Sequence, residues 1–326
     1  MSGGGVRRYS VSMSGQVIDE ATFRSLAERH RRELHVHCYR MLGSFDEAED
    51  LVQETYLRAW RGRERFEGGS LMRAWLYRIA TNACLDALRR SKRQAPSGSF
   101  SEIPWIQPYP DQLLDEIAPT EEQPDVKVVT KETIELSYLA IIQLLPPRQR
   151  AVLILRDVLD WSASEAAAAL DMSVAAANSA LQRARATLEE RTPAREASPA
   201  DPSIDERALL AQLVDAHERA DVAAAVALMR EDIRVTMPPN PWLFEGLATV
   251  RALLERGLAA PGEWRLVLTR ANRMPAAASY LRARDDTEFR AFKLDLIRFE
   301  GGLVAELTTF DHKLFPAFGL PEILQA

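Results

Sequence analysis

The stretch from His37 to Arg93, HCYRMLGSFDEAEDLVQETYLRAWRGRERFEGGSLMRAWLYRIATNACLDALRRSKR, constrains the fold more than any other part of the chain. Its spacing predicts two amphipathic helices joined by a Gly-bearing loop. In the first, Leu51, Val52, Tyr56, Leu57 and Trp60 form an apolar stripe at helical period, with Ser44 and Asp46 as N-cap candidates. Asp46, Glu47, Glu49, Asp50 and Glu54 crowd its opening, and Arg58, Arg61, Arg63 and Arg65 its end, as the helix dipole favours. In the second helix, Trp75, Arg78, Asn82, Asp86 and Arg89 recur every three or four residues along one face. Leu76, Ile79, Ala80, Ala83 and Ala87 mark the neighbouring face that packs inward. An aromatic ring, an amide and guanidinium groups on one face suit a nucleic-acid strand: Trp stacks on a base, Asn pairs with a base edge, and Arg holds phosphate. A solvated charged face with Trp75 and Tyr77 in the core fits the same letters.

The wording DEAEDLVQETYLRAW, followed by WLYRIATNACLDALRR, resembles region 2 of sigma-70-family initiation factors of the extracytoplasmic-function (ECF) group. That resemblance implies a helix gripping the beta-prime subunit of core RNA polymerase through Asp46, Glu49, Asp50, Gln53 and Glu54. It also implies that Phe66, Gly68, Ser70, Arg73, Trp75, Arg78, Asn82, Asp86 and Arg89 take up the unpaired −10 strand of a promoter. Gly68 and Gly69 would let backbone approach a flipped base closely, although a plain turn uses paired glycines equally well.

At 326 residues the chain is too long for one ordinary domain. Its net charge of −6 does not advertise a nucleic-acid binder, so any DNA contact must be local; residues 20–95 carry only a small positive excess. Cys38 and Cys84 read as buried free thiols of a reducing compartment. No leader and no bilayer-length apolar run is legible, which places the chain in the cytoplasm. Residues 1–18 read as a disordered tail, and residues 19–95 as the first domain. His35, His37 and Cys38 invite a metal reading, but they share no helical face and no second ligand cluster follows. They are expected to be solvated histidines beside a core cysteine, with no metal and no cofactor.

From 96 to 131 the chain becomes acidic and proline-rich, which excludes long helices. Ile103, Trp105, Ile106 and Tyr109 sit together in this connector and predict a docked segment, with a plain tether as the alternative. In sigma factors such a connector threads polymerase toward its active centre and exit channel. Residues 132–191 then follow helix-turn-helix spacing: apolar helices at 134–144 and 148–158, a short helix at 164–170, a turn at 171–173 and a longer helix at 174–188. LLPPRQRAVLILRDVLDWSASEAAAALDMSVAAANSALQRAR resembles sigma region 4. Ser173, Ala175, Ala176, Asn178, Ser179, Gln182, Arg183 and Arg185 are then the residues expected to face −35 duplex DNA. Two letters depart from the family: Asp171 stands where the turn usually carries Gly, and Ala177 where a larger apolar residue is usual.

After a Pro/Ala/Ser linker at 192–203, residues 204–326 read as helices followed by a meander of strands, an α+β unit with a hairpin turn at Gly301–Gly302. MPPNPWLFEG, FRAFKLDLIRFEGG and FDHKLFPAFGLP resemble the SnoaL-like branch of the nuclear-transport-factor-2 cone fold. The resemblance implies an apolar cavity, for which Met237, Trp242, Phe244, Tyr280, Phe292, Phe310 and His312 are lining candidates, with Arg282 and Asp295 as polar groups. Asp215, His217 and Asp221 read as helix-surface or capping residues. The expected whole is multidomain: two all-α DNA- and polymerase-binding domains plus an α+β cone-shaped domain. The implied function is an ECF-type sigma factor, not itself an enzyme, with core RNA polymerase and promoter DNA as partners. A small-molecule ligand or an anti-sigma protein is a possible further partner. A stand-alone helix-turn-helix regulator and a cone-fold enzyme fused to a DNA-binding module are the alternatives.

Overall fold

The computed structural model describes residues 20–66, 72–91, 103–117, 131–191, 204–258 and 261–325. The expected tail at 1–18, the loop residues Gly68 and Ser70, the outer parts of the 96–131 connector and the linker at 192–203 lie outside them.

Helix α2 (Arg31–Leu42) is the axis of the helical part, buried at every residue from Glu33 to Leu42. Against it pack α3 (Phe45–Gly62) and α4 (Met72–Arg90), and α1 (Glu20–Glu28) packs on those two. RRELHVHCYRML is too polar to enter a core unaided, so each buried polar group has to find a partner. Glu33 bonds His30 (2.6 Å), Arg73 (2.7 Å) and the Tyr77 hydroxyl (3.1 Å). Burial alone would raise its carboxyl pKa; the bond to His30 and the Arg73 charge win and hold it below the usual range. His37 Nε2 pairs with Thr81 Oγ1 at 2.8 Å, and His35 Nδ1 with the Tyr109 hydroxyl at 2.9 Å. The expectation of solvated histidines is therefore corrected: both rings are buried, because α4 covers one side of α2 and the connector the other. Among the described residues no group of His, Cys, Asp and Glu is arranged to hold a metal ion.

The helix ends follow local rules. Gly43 closes α2 in the left-handed conformation, φ +74°, and the Ser44 side chain caps α3 by accepting from Glu47 N. The connector carries α5 (Asp111–Asp115), and in the second helical unit α6 (Leu136–Gln143) precedes α7 (Pro147–Leu153). The helix expected at 148–158 runs only to Leu153 and then widens into a π turn, Ile154–Val158. Ser162 and Glu165 form a capping box that starts α8 (Ala163–Ala169), and α9 (Val174–Arg191) follows the turn. Asp171 in that turn has φ +53°, the conformation its usual glycine would adopt freely. Arg150 ties the two units together: it donates to the Gln143 side chain and backbone and to the Met41 carbonyl of α2.

The C-terminal unit is a curved sheet against three helices, α10 (Ile204–Glu218), α11 (Val222–Ala227) and α12 (Leu247–Leu258). Its strands are β1 (Met229–Met237), β2 (Asn240–Glu245), β3 (Gly262–Ala271), β4 (Met274–Ala283), β5 (Phe289–Glu300), β6 (Leu303–Asp311) and β7 (Ile323–Leu324). The order is β2-β1-β6-β5-β4-β3, parallel only between β1 and β6, with β7 paired to β5. Strands β2 and β7 were not expected from the sequence. One face of the sheet closes on the three helices as its own core. The other face, through Ala276, Ala278, Tyr280, Leu294 and Leu296, joins the apolar core of the helical units.

That junction has one focus. β3 and β4 are joined by a two-residue turn, Asn272–Arg273, both at positive φ. The Asn272 carboxamide is fully buried. It donates to the Tyr39 hydroxyl (2.9 Å) and the Ile134 carbonyl (2.8 Å), and accepts from Tyr109 N (2.8 Å). Its backbone N–H reaches the Tyr109 carbonyl at 2.9 Å. One side chain thus bonds the first helical unit, the connector and the segment before α6. Tyr109 itself stands in a box of His35, Tyr39 and Phe45 rings, with centroids at 5.3, 4.9 and 5.2 Å. Arg273 adds a bond from its backbone N–H to Asp111 (2.8 Å) and an ion pair with Asp115.

Two outcomes follow. Burial holds His35 at a pKa of about 4, and His37 and His217 at about 3, all below the ordinary value near 6.5. Below pH ~6.5 the unfolded chain takes up these protons and the folded chain does not. Each ring therefore costs about 1.4 kcal/mol of stability per pH unit between 6.5 and its folded value. Urea midpoints should fall steeply from pH 6.5 to pH 4 and be flat between 7 and 8. Asn272→Ala strands Tyr109 N–H and the Ile134 carbonyl, at about 1–3 kcal/mol for each buried group left unpaired. Hydrogen exchange in residues 103–117 should quicken in this variant, with exchange in α4 unchanged.

Candidate functional site

Helix α3 presents its acidic residues unevenly. Asp46, Asp50, Gln53 and Leu57, spaced four, three and four apart, form one exposed row. Leu57, expected in the inward stripe, is 52% exposed and continues that row, while Val52 occupies the core. Glu49 turns aside to pair with Arg31 and, at 3.6 Å, with His35; Glu54 pairs with Arg58 at 2.7 Å. The connector touches the head of the row, which stays exposed. Gln107 Nε2 donates to Asp46 Oδ2 (2.7 Å), and its Oε1 accepts from Ser44 Oγ and Asp46 N.

On α4 the expected strand-facing residues divide. The Phe66 and Trp75 rings pack at a tilt, centroids 5.0 Å apart, beside Gly62, and Arg78 is exposed. Arg73 is corrected: its guanidinium is spent on buried Glu33 and lies over the Tyr77 ring, so it is not a free phosphate contact. Asp86 is held by Arg58 (2.8 Å) and Arg89. Asn82 is half-buried, and its Nδ2 donates to Ala169 O at the end of α8, 3.2 Å away. Trp161, just before α8, also packs on Tyr77 of α4, with centroids 6.1 Å apart. The second helical unit therefore sits on the face expected to read an unpaired strand.

Helix α9 is different. Ala177, Ala180, Leu181 and Ala184 pack inward. Ala175, Ala176, Asn178, Ser179, Gln182, Arg183 and Arg185 are all exposed. The exposed Ser173 is a cap, accepting from Ala176 N at 3.1 Å. Arg185 makes two bonds to Asp157, at 2.9 and 2.7 Å. Asn178, Gln182 and Arg183 then offer amide and guanidinium groups from one open helical surface, the chemistry that pairs with base edges and phosphate.

The C-terminal sheet and helices enclose a cavity of about 470 Å³. Met237, Trp242, Phe292, Asp295 and Phe310 line it as expected from the sequence. Phe244, Tyr280, Arg282 and His312 do not. Alternation along β4 turns Tyr280 and Arg282 to the outer face, where Tyr280 packs on Phe315 and Arg282 lies over Phe289. Phe244 packs in the helix-side core, and His312 sits half-exposed beyond β6 beside Asp311. His217, read as a surface or capping residue, is a buried wall of the cavity. The signal was present, since Leu209, Leu213 and Ala216 put His217 on the apolar face of α10. Asp221 does cap α11, and Asp215 pairs with Arg219 on the surface. Trp264, Lys293 and Thr309 complete the polar wall that sequence reasoning missed.

Among the described residues no helix is long and apolar enough to cross a membrane. Residues 26–94 match Sigma-70 region 2, residues 135–188 Sigma-70 region 4, and residues 210–307 the SnoaL-like domain. The ECF RNA polymerase sigma factor SigG of Mycobacterium tuberculosis is 40% identical over 322 residues, which cover 93% of this chain and 85% of that protein. The ECF RNA polymerase sigma factor SigW of Bacillus subtilis is 28% identical over 174 residues, covering 53% of this chain and 90% of that one. Among solved structures, the M. tuberculosis ECF sigma factor SigJ shares the fold, with TM-score 0.58, 21% identity and coverage of 93% of this chain and 100% of that chain. Three family matches in this order, with a relative similar across nearly the whole length, place the chain in the family of extracytoplasmic-function RNA polymerase sigma factors, with a SnoaL-like domain following its two helical units.

Proposed function

We propose that this chain binds core RNA polymerase through the exposed row Asp46, Asp50, Gln53 and Leu57 of α3. In the same reading α9 reads duplex DNA at −35, with Asn178, Gln182 and Arg183 at base edges or phosphate. Helix α4 and the loop before it, with Phe66, Trp75, Arg78 and Asn82, take the unpaired −10 strand. The role is regulatory rather than enzymatic and is exercised in the cytoplasm, where the polymerase works.

The observation that carries this reading is the unequal exposure of the two nucleic-acid faces: α9 is open, whereas Asn82 on α4 is held by the end of α8. Elements centred at −10 and −35 lie about 25 base pairs apart, hence roughly 85 Å along B-DNA. Two helical units packed on one another, as the end of α8 is on α4, do not serve both elements at once. The arrangement described above is then a resting state that opens on the polymerase. The bonds of Asn272 to Tyr39, Tyr109 and the Ile134 carbonyl support the C-terminal unit as the clasp that keeps it closed. Gln107 over Asp46 supports the connector as part of the same restraint.

Promoter-dependent transcription with purified core polymerase tests the proposal on three forms: the full chain, the chain ended at Arg191, and Asn272→Ala. Both altered forms should yield several-fold more transcript than the full chain, roughly the effect of losing 1–2 kcal/mol of closure. If no form binds core polymerase, the sigma reading fails; equal output from all three would remove the clasp alone. Replacing Gln182 and Arg183 together by Ala should weaken −35 duplex binding by roughly 5- to 100-fold, while core binding stays unchanged.

A further inference from the structure

The start of helix α4 is seated by an ionic cluster where apolar side chains would serve stability as well. Glu33 of α2 is buried, and both its carboxylate oxygens are engaged. Oε1 bonds His30 Nδ1 at 2.6 Å, while Oε2 accepts from Arg73 Nε at 2.7 Å and from the Tyr77 hydroxyl at 3.1 Å. Taking a carboxylate and a guanidinium out of water costs about as much as their attraction returns, and an apolar pair of like volume is often as stable. Arg73 also stands in the first turn of α4, which holds no acidic residue and whose dipole disfavours a cation. A cluster that adds so little stability points to geometry.

The geometry it controls is the seat of α4 on α2. Arg73 and Tyr77 lie four residues apart, one turn above the other on the inward face, and one oxygen holds both. The guanidinium also lies over the Tyr77 ring, 5.1 Å from its centroid, which locks the two side chains together. The following turns of that face carry Ala80, Ala83 and Cys84, side chains too small to key one axial position by interlocking. The bond between Thr81 and His37 fixes the middle of the helix, and Glu33 fixes its start. Trp75 and Arg78 project from the same two turns on another side, so any rotation or slide there carries them with it. We propose that Glu33 is a positioning residue for capture of the unpaired −10 strand. Through Arg73 and Tyr77 it sets the rotation and axial register of α4, and with them the aim of Trp75 and Arg78. The inference rests on the reading of α4 as the strand-facing helix.

Three forms of the full chain, each assembled with core polymerase, are compared on two DNAs. One is a fork whose −10 strand is left unpaired, the other a duplex carrying the −35 element alone. Glu33→Met, Arg73→Met and Tyr77→Phe together replace the cluster by apolar chains of similar size and leave no hydroxyl stranded. The urea midpoint, core binding and −35 binding of this triple variant should match the parent's, while fork binding weakens about tenfold at unchanged salt dependence. Arg73→Lys keeps the charge but exchanges a fixed planar donor for a mobile ammonium, and its fork binding should fall several-fold. The proposal is overturned if the triple variant binds the fork as the parent does, or if its loss extends equally to core or −35 binding. A salt slope shallower by about 0.7 in that variant, the mark of a lost phosphate contact, overturns it too. So does an Arg73→Lys form that binds the fork undiminished, and this form decides alone if the triple variant does not fold. A parent with no preference for the unpaired strand removes the reading of α4, and this proposal with it.

Discussion

The arrangement of this molecule depends on one buried carboxamide. Asn272 stands at the tip of a strand hairpin, where a two-residue turn holds it in the left-handed conformation and aims its side chain away from its own sheet. Both amide hydrogens and the oxygen of its side chain are engaged, and every partner lies more than a hundred residues from Asn272 in the chain. Satisfaction of this kind is all or none. Removing any one segment leaves buried polar groups on the other two, so the segments favour one another's positions. The aromatic box around Tyr109 adds apolar area to the same point, and the sheet's outer face continues it into the core of the helical units.

The same contact sets which surfaces meet solvent. With the hairpin in place, the second helical unit lies on α4, and the connector lies over the start of α3. Helix α9 is left facing outward. The modest overall charge belongs to this picture. Much of the cationic surface near the nucleic-acid faces is neutralised internally, Arg58 by Glu54 and Asp86, Arg73 by Glu33, and Arg185 by Asp157. Among the described residues, this leaves less positive potential to hold DNA without help.

Much of this was legible in the letters. Period-3.6 patterns located α3, α4 and α9, and Gly301–Gly302 marks the β5–β6 hairpin. Ile, Trp and Tyr in a proline-rich segment announced a docked connector. What was not legible depends on partners distant in sequence. Helix α2 looks solvated because its polar residues find each other only across three other elements. Asn272–Arg273 contains no glycine to advertise a turn. Tyr280 and Arg282 were assigned to the cavity on residue type, but the register of β4 decides the face, and a single position of parity reverses it. His217 was discounted because polar letters on an amphipathic helix are usually outside, although its spacing put it among leucines.

The clasp has a consequence for dosage. A restraint carried on the same chain is present at one copy per copy, at an effective concentration set by the tether rather than by expression of a second protein. On the proposed reading, raising or lowering the amount of this chain leaves the closed fraction of its polymerase-free form unchanged, whereas a factor held by a separate inhibitor can be titrated free by overproduction.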